Sequence, residues 1–265
     1  MSESPILELQ GLRKSYGRSE VLADVDFAVH RGEFVCVVGP SGAGKTTLLK
    51  CIAGLIRPSG GRAVFEGEEV SEPPARLAVI FQDYSRSLLP WLTVEKNLLL
   101  PLKKPKFPRA TRARLIEESL ENVGLSGKGR LYPWEMSGGM QQRAAIARGL
   151  AYQPDVLLMD EPFAAVDAQT RIDLEDLVLE MRRRLDMTVL FVTHDIDEAV
   201  YMADRVIVLS GAPARVARDI RVDLPAERDQ VRTKNLARYG ELRAEVFELI
   251  QAAKQAANTG RIPAP

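Results

Sequence analysis

The stretch that decides the reading is Phe34-Val35-Cys36-Val37-Val38-Gly39-Pro40-Ser41-Gly42-Ala43-Gly44-Lys45-Thr46-Thr47. Its first five residues are apolar without alternation and too few for a helix, as in a strand with both faces covered. Gly39 to Thr46 then fit G-x-x-x-x-G-K-[ST], and an apolar helical pattern follows from Thr47 to Ala53. Strand, glycine loop and helix in that order make a cradle for nucleotide phosphates. Glycines let the backbone wrap an anion without side-chain clash, while successive N–H groups and the helix N-terminus supply a concave positive field. Lys45 is placed to set its ammonium against the β- and γ-phosphates, and the Thr46 hydroxyl to ligate Mg²⁺. Gly39, Pro40, Ser41, Gly42, Ala43, Gly44, Lys45, Thr46 and Thr47 form the candidate nucleotide-binding set.

Outward from this loop, further short apolar runs read as strands: Leu77 to Phe81, Val156 to Met159, Val189 to Val192 and Val206 to Leu209. Leu174, Leu177, Val178, Met181 and Leu185 fall on one stripe of an amphipathic helix. Strands alternating with helices predict an α/β fold. Ile6 to Leu12 and Arg62 to Glu66 mix apolar and charged residues and read as antiparallel or edge strands. Between Gln82 and about Pro154 the strand signal stops. A proline patch, Pro101 to Pro108, and a helical pattern around Leu115, Ile116, Leu120 and Val123 predict an inserted helical subdomain. A last helix is expected over Leu236 to Ala256, with a frayed end from Asn258 to Pro265.

Composition narrows the class. The 265 residues are 46% hydrophobic and 27% charged, with 36 Lys and Arg balancing 36 Asp and Glu. A net charge of +0 argues against binding nucleic acid through a broadly basic surface. The longest charge-free apolar stretch, Phe34 to Gly44, falls well short of the ~20 residues of a membrane span. Met1 to Gln10 lacks a cationic start followed by an apolar core, so a cytosolic chain is expected. Cys36 and Cys51 sit inside apolar runs without metal-ligand spacing and read as small buried hydrophobes.

Val156-Leu157-Leu158-Met159-Asp160-Glu161 is a buried-strand pattern ending in two carboxylates. A carboxylate at a strand's carboxyl end can hold Mg²⁺ through its water shell, and the next can polarise an attacking water. Asp160 is the metal-side candidate and Glu161 the general base. Together with the loop they describe an NTPase but not its kind.

Met136-Ser137-Gly138-Gly139-Met140-Gln141-Gln142-Arg143 resembles the signature of the ATP-binding cassette family, whose usual form is Leu-Ser-Gly-Gly-Gln. The family's other marks follow in order: Tyr16 where an aromatic stacks on adenine, Gln82 at the Q-loop, Ala164 to Asp167 as the D-loop, and His194 as the switch histidine. The resemblance spans about Leu7 to Ser210. It implies a P-loop NTPase (RecA-like) core with an antiparallel β subdomain and an inserted α-helical subdomain at about 83–154, an ATPase domain over 1–225 and a helical tail over 226–265. It also implies ATP and Mg²⁺ as cofactors, with Thr46, Gln82 and Asp160 around the metal and Glu161, His194 and Gln82 as catalytic residues. Ser137, Gly138, Gly139 and Met140 of one copy would cover the γ-phosphate held by Lys45 of a second copy in a head-to-tail dimer. Two departures stand out: Met140 replaces the usual glutamine, and Phe163-Ala164-Ala165-Val166-Asp167 lacks the usual Ser or Gly while keeping Asp167.

Leu89-Pro90-Trp91-Leu92-Thr93-Val94, the signature and Thr193-His194-Asp195-Ile196-Asp197-Glu198-Ala199 together resemble the importer ATPases for nitrate, sulfonate and taurine. That likeness implies separate transmembrane permease subunits, an extracytoplasmic solute-binding protein acting indirectly, and a peripheral position on the cytoplasmic face of the inner membrane; nucleic acid is not expected as a partner. An exporter ATPase, and a non-transport cassette ATPase working on nucleic acid or ribosomes, remain the competing readings. For the apolar segment Ser87 to Val94, a permease-docking surface led by Trp91 competes with core packing. For Tyr16, packing competes with adenine stacking, and His30 reads as a structural histidine.

Overall fold

The computed structural model describes residues 4–82, 87–103 and 107–259, with side chains through residue 256. The middle of the proline patch, residues 104–106, and the end of the expected frayed terminus, residues 260–265, lie outside the described residues, as do residues 1–3. In chain order the elements are β1 (Leu7–Tyr16), β2 (Ser19–Val29), β3 (Phe34–Val38), α1 (Lys45–Ile52), β4 (Gly60–Phe65), β5 (Glu68–Glu69), β6 (Leu77–Ile80), α2 (Val94–Leu99), α3 (Arg109–Asn122), α4 (Gly138–Leu150), β7 (Val156–Asp160), α5 (Ala168–Leu185), β8 (Thr188–Val192), α6 (Ile196–Met202), β9 (Arg205–Leu209), β10 (Val216–Arg221) and α7 (Ala237–Thr259). They gather into two compact units, one of Met1–Pro74 with Thr188–Pro265 and one of Ala75–Met187.

In the first unit β3 lies between β8 and β9 and runs parallel to both, Phe34 facing Val189 and Val35 facing Arg205. Every residue of β3 and β8 is buried, as a parallel strand covered on both faces requires. The Phe34 and Phe191 rings meet at 5.9 Å across that pair. β10 adds to β9 antiparallel. At the start of β9, Arg205 donates from Nη2 to Asp219 at 2.6 Å and from Nη1 to both Glu33 oxygens at 2.8 and 2.9 Å. Those carboxylates hold its guanidinium above the ordinary arginine value. A separate antiparallel sheet has the order β2-β1-β4-β5.

In the second unit β6 pairs parallel with β7, Leu77 facing Val156 and Ile80 facing Met159. The helices α2 to α5 belong to this unit. On α5 the expected stripe is buried at Leu174, Val178 and Met181, while Leu185 is exposed at its end. Asp167 caps the start of α5, and three arginines, Arg182 to Arg184, occupy its last turn, where the helix dipole favours cations. Among the described residues no helix is long and apolar enough to cross a membrane.

Several expectations shift. β1 continues to Tyr16, well past Leu12, and β6 stops at Ile80. β2 and β10 carry no clear strand signal because their outward positions are polar or charged. The helix after the phosphate loop opens at Lys45, two residues before Thr47, because Gly44 at φ 76° turns the chain directly into it.

Both cysteines are free and buried. Burial pushes the Cys51 thiol up to about 11, and burial with nearby Glu198 and Asp204 pushes Cys36 up as well. Thiolate is the reactive form, so both should resist alkylation at pH 8 in the folded protein and react once it is denatured. Mass-spectrometric counting of carbamidomethyl groups checks this; rapid native labelling of either would show a thiol more open than the structure has it.

Candidate functional site

Gly39 and Pro40 leave the end of β3 buried, Ser41 and Gly42 lie open to solvent, and Ala43 turns inward. Ala43 N–H closes the turn on the Pro40 carbonyl at 3.1 Å. Gly42 and Gly44 take φ of 79° and 76°, the left-handed region that favours glycine. A Cβ on Gly44 would also stand 2.7 Å from Val21 Cγ1, so that position is closed to side chains twice over. α1 then begins with no side-chain cap and no acidic residue in its first turn. A helix start of this kind, with no acidic side chain of its own, suits an anion. Lys45 is 6% exposed, and its ammonium donates to the carbonyls of Gly39 at 3.0 Å and Pro40 at 3.2 Å. Thr46 is exposed on the same first turn, with Thr47 half-buried behind it.

Tyr16 ends β1 and is 52% exposed, with the Lys14 ammonium 5.1 Å from its ring centre. Such exposure leaves its ring face outside the core. His194 follows β8 and is exposed, whereas Thr193 beside it is buried and hydrogen-bonds through N–H to the Val37 carbonyl at 3.2 Å. The histidine thus stands on a loop pinned to the strand that feeds the phosphate loop.

In the second unit Asp160 closes β7 and is 4% exposed, and Glu161 turns away at φ 44°. Gln82, just past β6, donates from Nε2 to Glu161 Oε2 at 3.3 Å, joining two candidates that lie far apart in sequence. Ser137 caps α4 and accepts the Met140 N–H at 3.3 Å. Met140 contributes its backbone N–H to that cap, which any residue type supplies; this accounts for methionine in place of glutamine as far as the cap goes. Gly138 and Gly139 open the helix behind Ser137.

Gly139 has a second constraint, absent from the motif reading. A Cβ there would lie 2.5 Å from Thr170 Cγ2. Thr170 is itself fixed by Asp167, which accepts its N–H at 3.0 Å and its hydroxyl at 2.7 Å. These bonds hold the Asp167 carboxyl below the usual carboxylate range. The signature helix and the helix after the D-loop therefore meet at one methyl group. A threonine three residues after an N-cap aspartate is the only trace of this in the sequence.

The apolar segment after Gln82 divides: Leu88 and Val94 are buried and Trp91 is 68% exposed. Asn97, fully buried, organises the loop between them. It accepts from Leu89 N–H at 2.8 Å and donates to the Leu89, Leu92 and Thr93 carbonyls, each at 3.1 Å. Val94 N–H bonds the Leu131 carbonyl at 2.9 Å, next to the stacked rings of Tyr132 and Trp134, the latter 64% exposed. Trp91 is thus presented to solvent on a braced loop.

Comparison with known proteins agrees with this geometry. Residues 22–164 match the family model described as ABC transporter. The aliphatic sulfonates import ATP-binding protein SsuB 2 of Burkholderia cenocepacia is 47% identical over 226 residues, covering 85% of this chain and 82% of its own. The nitrate import ATP-binding protein NrtC of Synechococcus elongatus is 42% identical over 91% of this chain, which spans 37% of that longer protein. Among solved structures, cbiO1 from Clostridium perfringens, part of the ABC transporter complex cbiONQ, superposes with a TM-score of 0.76 at 26% identity over 83% of this chain and 90% of its own. A dimeric ATP-binding cassette in a post-hydrolysis state with ADP and Pi gives 0.70 at 30% identity over 82% and 98%. The chain belongs to the ABC transporter family, as one of its ATP-binding and ATP-hydrolysing members.

Proposed function

We propose that this chain powers a membrane importer for a small solute such as nitrate, a sulfonate or taurine, working as a head-to-tail pair on the cytoplasmic face of the membrane. The observation that carries the reading is that one chain has two helix N-termini with no acidic residue in the first turn, α1 behind the phosphate loop and α4 behind Ser137. Lys45 and the loop N–H groups hold the β- and γ-phosphates, and Tyr16 stacks on adenine. Ser137, Gly138, Gly139 and Met140 of the opposite copy close over the γ-phosphate, so ATP joins the pair. Thr46, Asp160 and Gln82 offer hydroxyl, carboxylate and amide oxygens, the hard donors that suit Mg²⁺. An ion held there would supply charge neutralisation to the phosphates when bound. Glu161, steadied by Gln82, takes a proton as a water oxygen attacks the γ-phosphorus and ADP leaves; His194 contacts the γ-phosphate. Asp167 fixes the start of α5.

The relatives named for sulfonate and nitrate import support the direction and the solute class. The solute meets the permease and its external binding protein, so no residue of this chain selects it. The braced, exposed Trp91 suits docking of the permease subunit.

Glu161→Gln should bind ATP and form a lasting dimer while hydrolysing at least about a hundredfold more slowly, the scale of a lost general base. Single-turnover hydrolysis and gel filtration with ATP read both; normal turnover would remove the base assignment. Gly139→Ala should cost about 1–3 kcal/mol through overpacking and weaken the ATP dimer, and Thr170→Ser, which deletes the offending methyl, should recover much of the loss. Thermal unfolding of the single and double variants checks it. The tagged chain should retrieve a multi-span permease from detergent-solubilised membranes, and Trp91→Ala should lose that partner while the isolated protein keeps its ATPase rate. Recovery of ribosomes or nucleic acid without a membrane protein would overturn the transport reading.

A further inference from the structure

The tail beyond β10 lies outside residues 22–164 matched to the family model. Contacts from Arg228, Lys234, Tyr239 and Arg243 of this tail fall on α6, the seven-residue helix that Asp195 caps just after His194, or on its end. So short a helix has little stability alone and takes its setting from its surroundings.

At its front, Asp195 accepts the N–H groups of Asp197 at 2.8 Å and Glu198 at 3.2 Å. The Thr193 hydroxyl donates to the buried Glu198 carboxylate at 2.5 Å and accepts the Asp195 N–H at 3.0 Å. These bonds close a small ring of chain around His194. At its back, Arg228 from the tail donates to the Tyr201 carbonyl at 2.9 Å and the Ala203 carbonyl at 3.0 Å, two acceptors a helix end leaves over. The Lys234 ammonium sits 4.8 Å over the Tyr201 ring. On its flank, Asp197 Oδ1 accepts the Tyr239 hydroxyl at 3.1 Å and Arg243 Nε at 2.7 Å. Tyr239 is 4% exposed and belongs to a buried face of α7 with Leu242, Val246 and Ile250. The exposed Asp197–Arg243 pair contributes little by itself, whereas Arg228 ties two carbonyls at the end of α6 and the buried Tyr239 bonds both the carboxylate and the carbonyl of Asp197.

We infer that the tail is an internal clamp: Arg228, Tyr239 and Arg243 are positioning residues that hold α6, and through the Thr193–Glu198 bond set the loop from which His194 acts. The inference rests on the proposed role of His194 in hydrolysis. It differs from simple packing of a terminal helix, which would govern stability and leave the catalytic step alone.

The test is a cycle on the full chain: Tyr239→Phe with Arg243→Gln, and separately Arg228→Gln, each also combined with His194→Ala. Steady-state and single-turnover ATPase, equilibrium nucleotide binding and thermal unfolding are measured throughout. The clamp predicts that kcat falls about three- to tenfold with ATP binding within about twofold, that Arg243→Lys with Tyr239 intact stays near the parent, and that neither tail variant lowers the rate further once His194 is gone. Unchanged kcat in the tail variants, with His194→Ala impaired, overturns the clamp and leaves packing. A loss that multiplies with that of His194→Ala overturns it too, by showing that the tail acts elsewhere. Normal hydrolysis by His194→Ala itself removes the reading of the histidine on which the clamp depends.

Discussion

A lysine ammonium held at the amino end of a helix is the constraint around which the site is arranged. The dipole of α1 is positive where Lys45 begins it, and burial strips the ammonium of water, so both effects oppose its charge there. The loop answers by turning the Gly39 and Pro40 carbonyls onto it. That turn demands positive φ at Gly42 and Gly44 and a strand that ends at Val38. β3 meets the last requirement because β8 and β9 flank it in parallel register, its five buried residues leaving no slack in its placement. What results is a concentration of positive potential that, under the proposed function, a polyphosphate would complete.

The second unit repeats the device with different parts. Ser137 caps α4 with its own oxygen and leaves the helix start free of acidic side chains. Gly139 lets this helix approach α5 until only the Thr170 methyl separates them, and Thr170 is in turn tied to Asp167. The signature helix and the D-loop thus share Thr170 as a packing and hydrogen-bonding neighbour. Under the proposed pairing, a contact felt by Asp167 reaches Ser137 of the same copy through a single packed side chain.

The fold was legible where burial is two-sided. β3, β7 and β8 are buried along their whole length, and the apolar runs Phe34–Val38, Val156–Met159 and Val189–Val192 announce it. β2 and β10 were not, since Ser19–Val29 alternates around acidic positions and Val216–Arg221 buries little besides Ile220. The apolar pattern places the start of α1 two residues late because glycine stereochemistry at Gly44, not hydrophobic periodicity, decides it. In the candidate site, loop and signature could be read because backbone geometry dictates residue type locally. The Gln82–Glu161 bond and the Gly139–Thr170 contact are tertiary: nothing in either partner's neighbourhood names the other.

The three carboxylates of Asp195-Ile196-Asp197-Glu198 show how one short segment carries separate instructions. All three lie at or near the N-terminus of α6, where the dipole favours anions, so electrostatics alone would accept any order. Geometry separates them. Asp195 is the cap and faces the helix's own N–H groups; Glu198, one turn on, points inward to Thr193; Asp197, between them, points out to Tyr239 and Arg243. Exchanging the two would leave a carboxylate on each side but change its reach by one methylene, shortening the inward arm that meets Thr193 and lengthening the outward one that meets Tyr239 and Arg243. The run after His194 therefore encodes a helix start, a bond to the histidine loop and a docking point for the last helix, and its spacing satisfies all three at once.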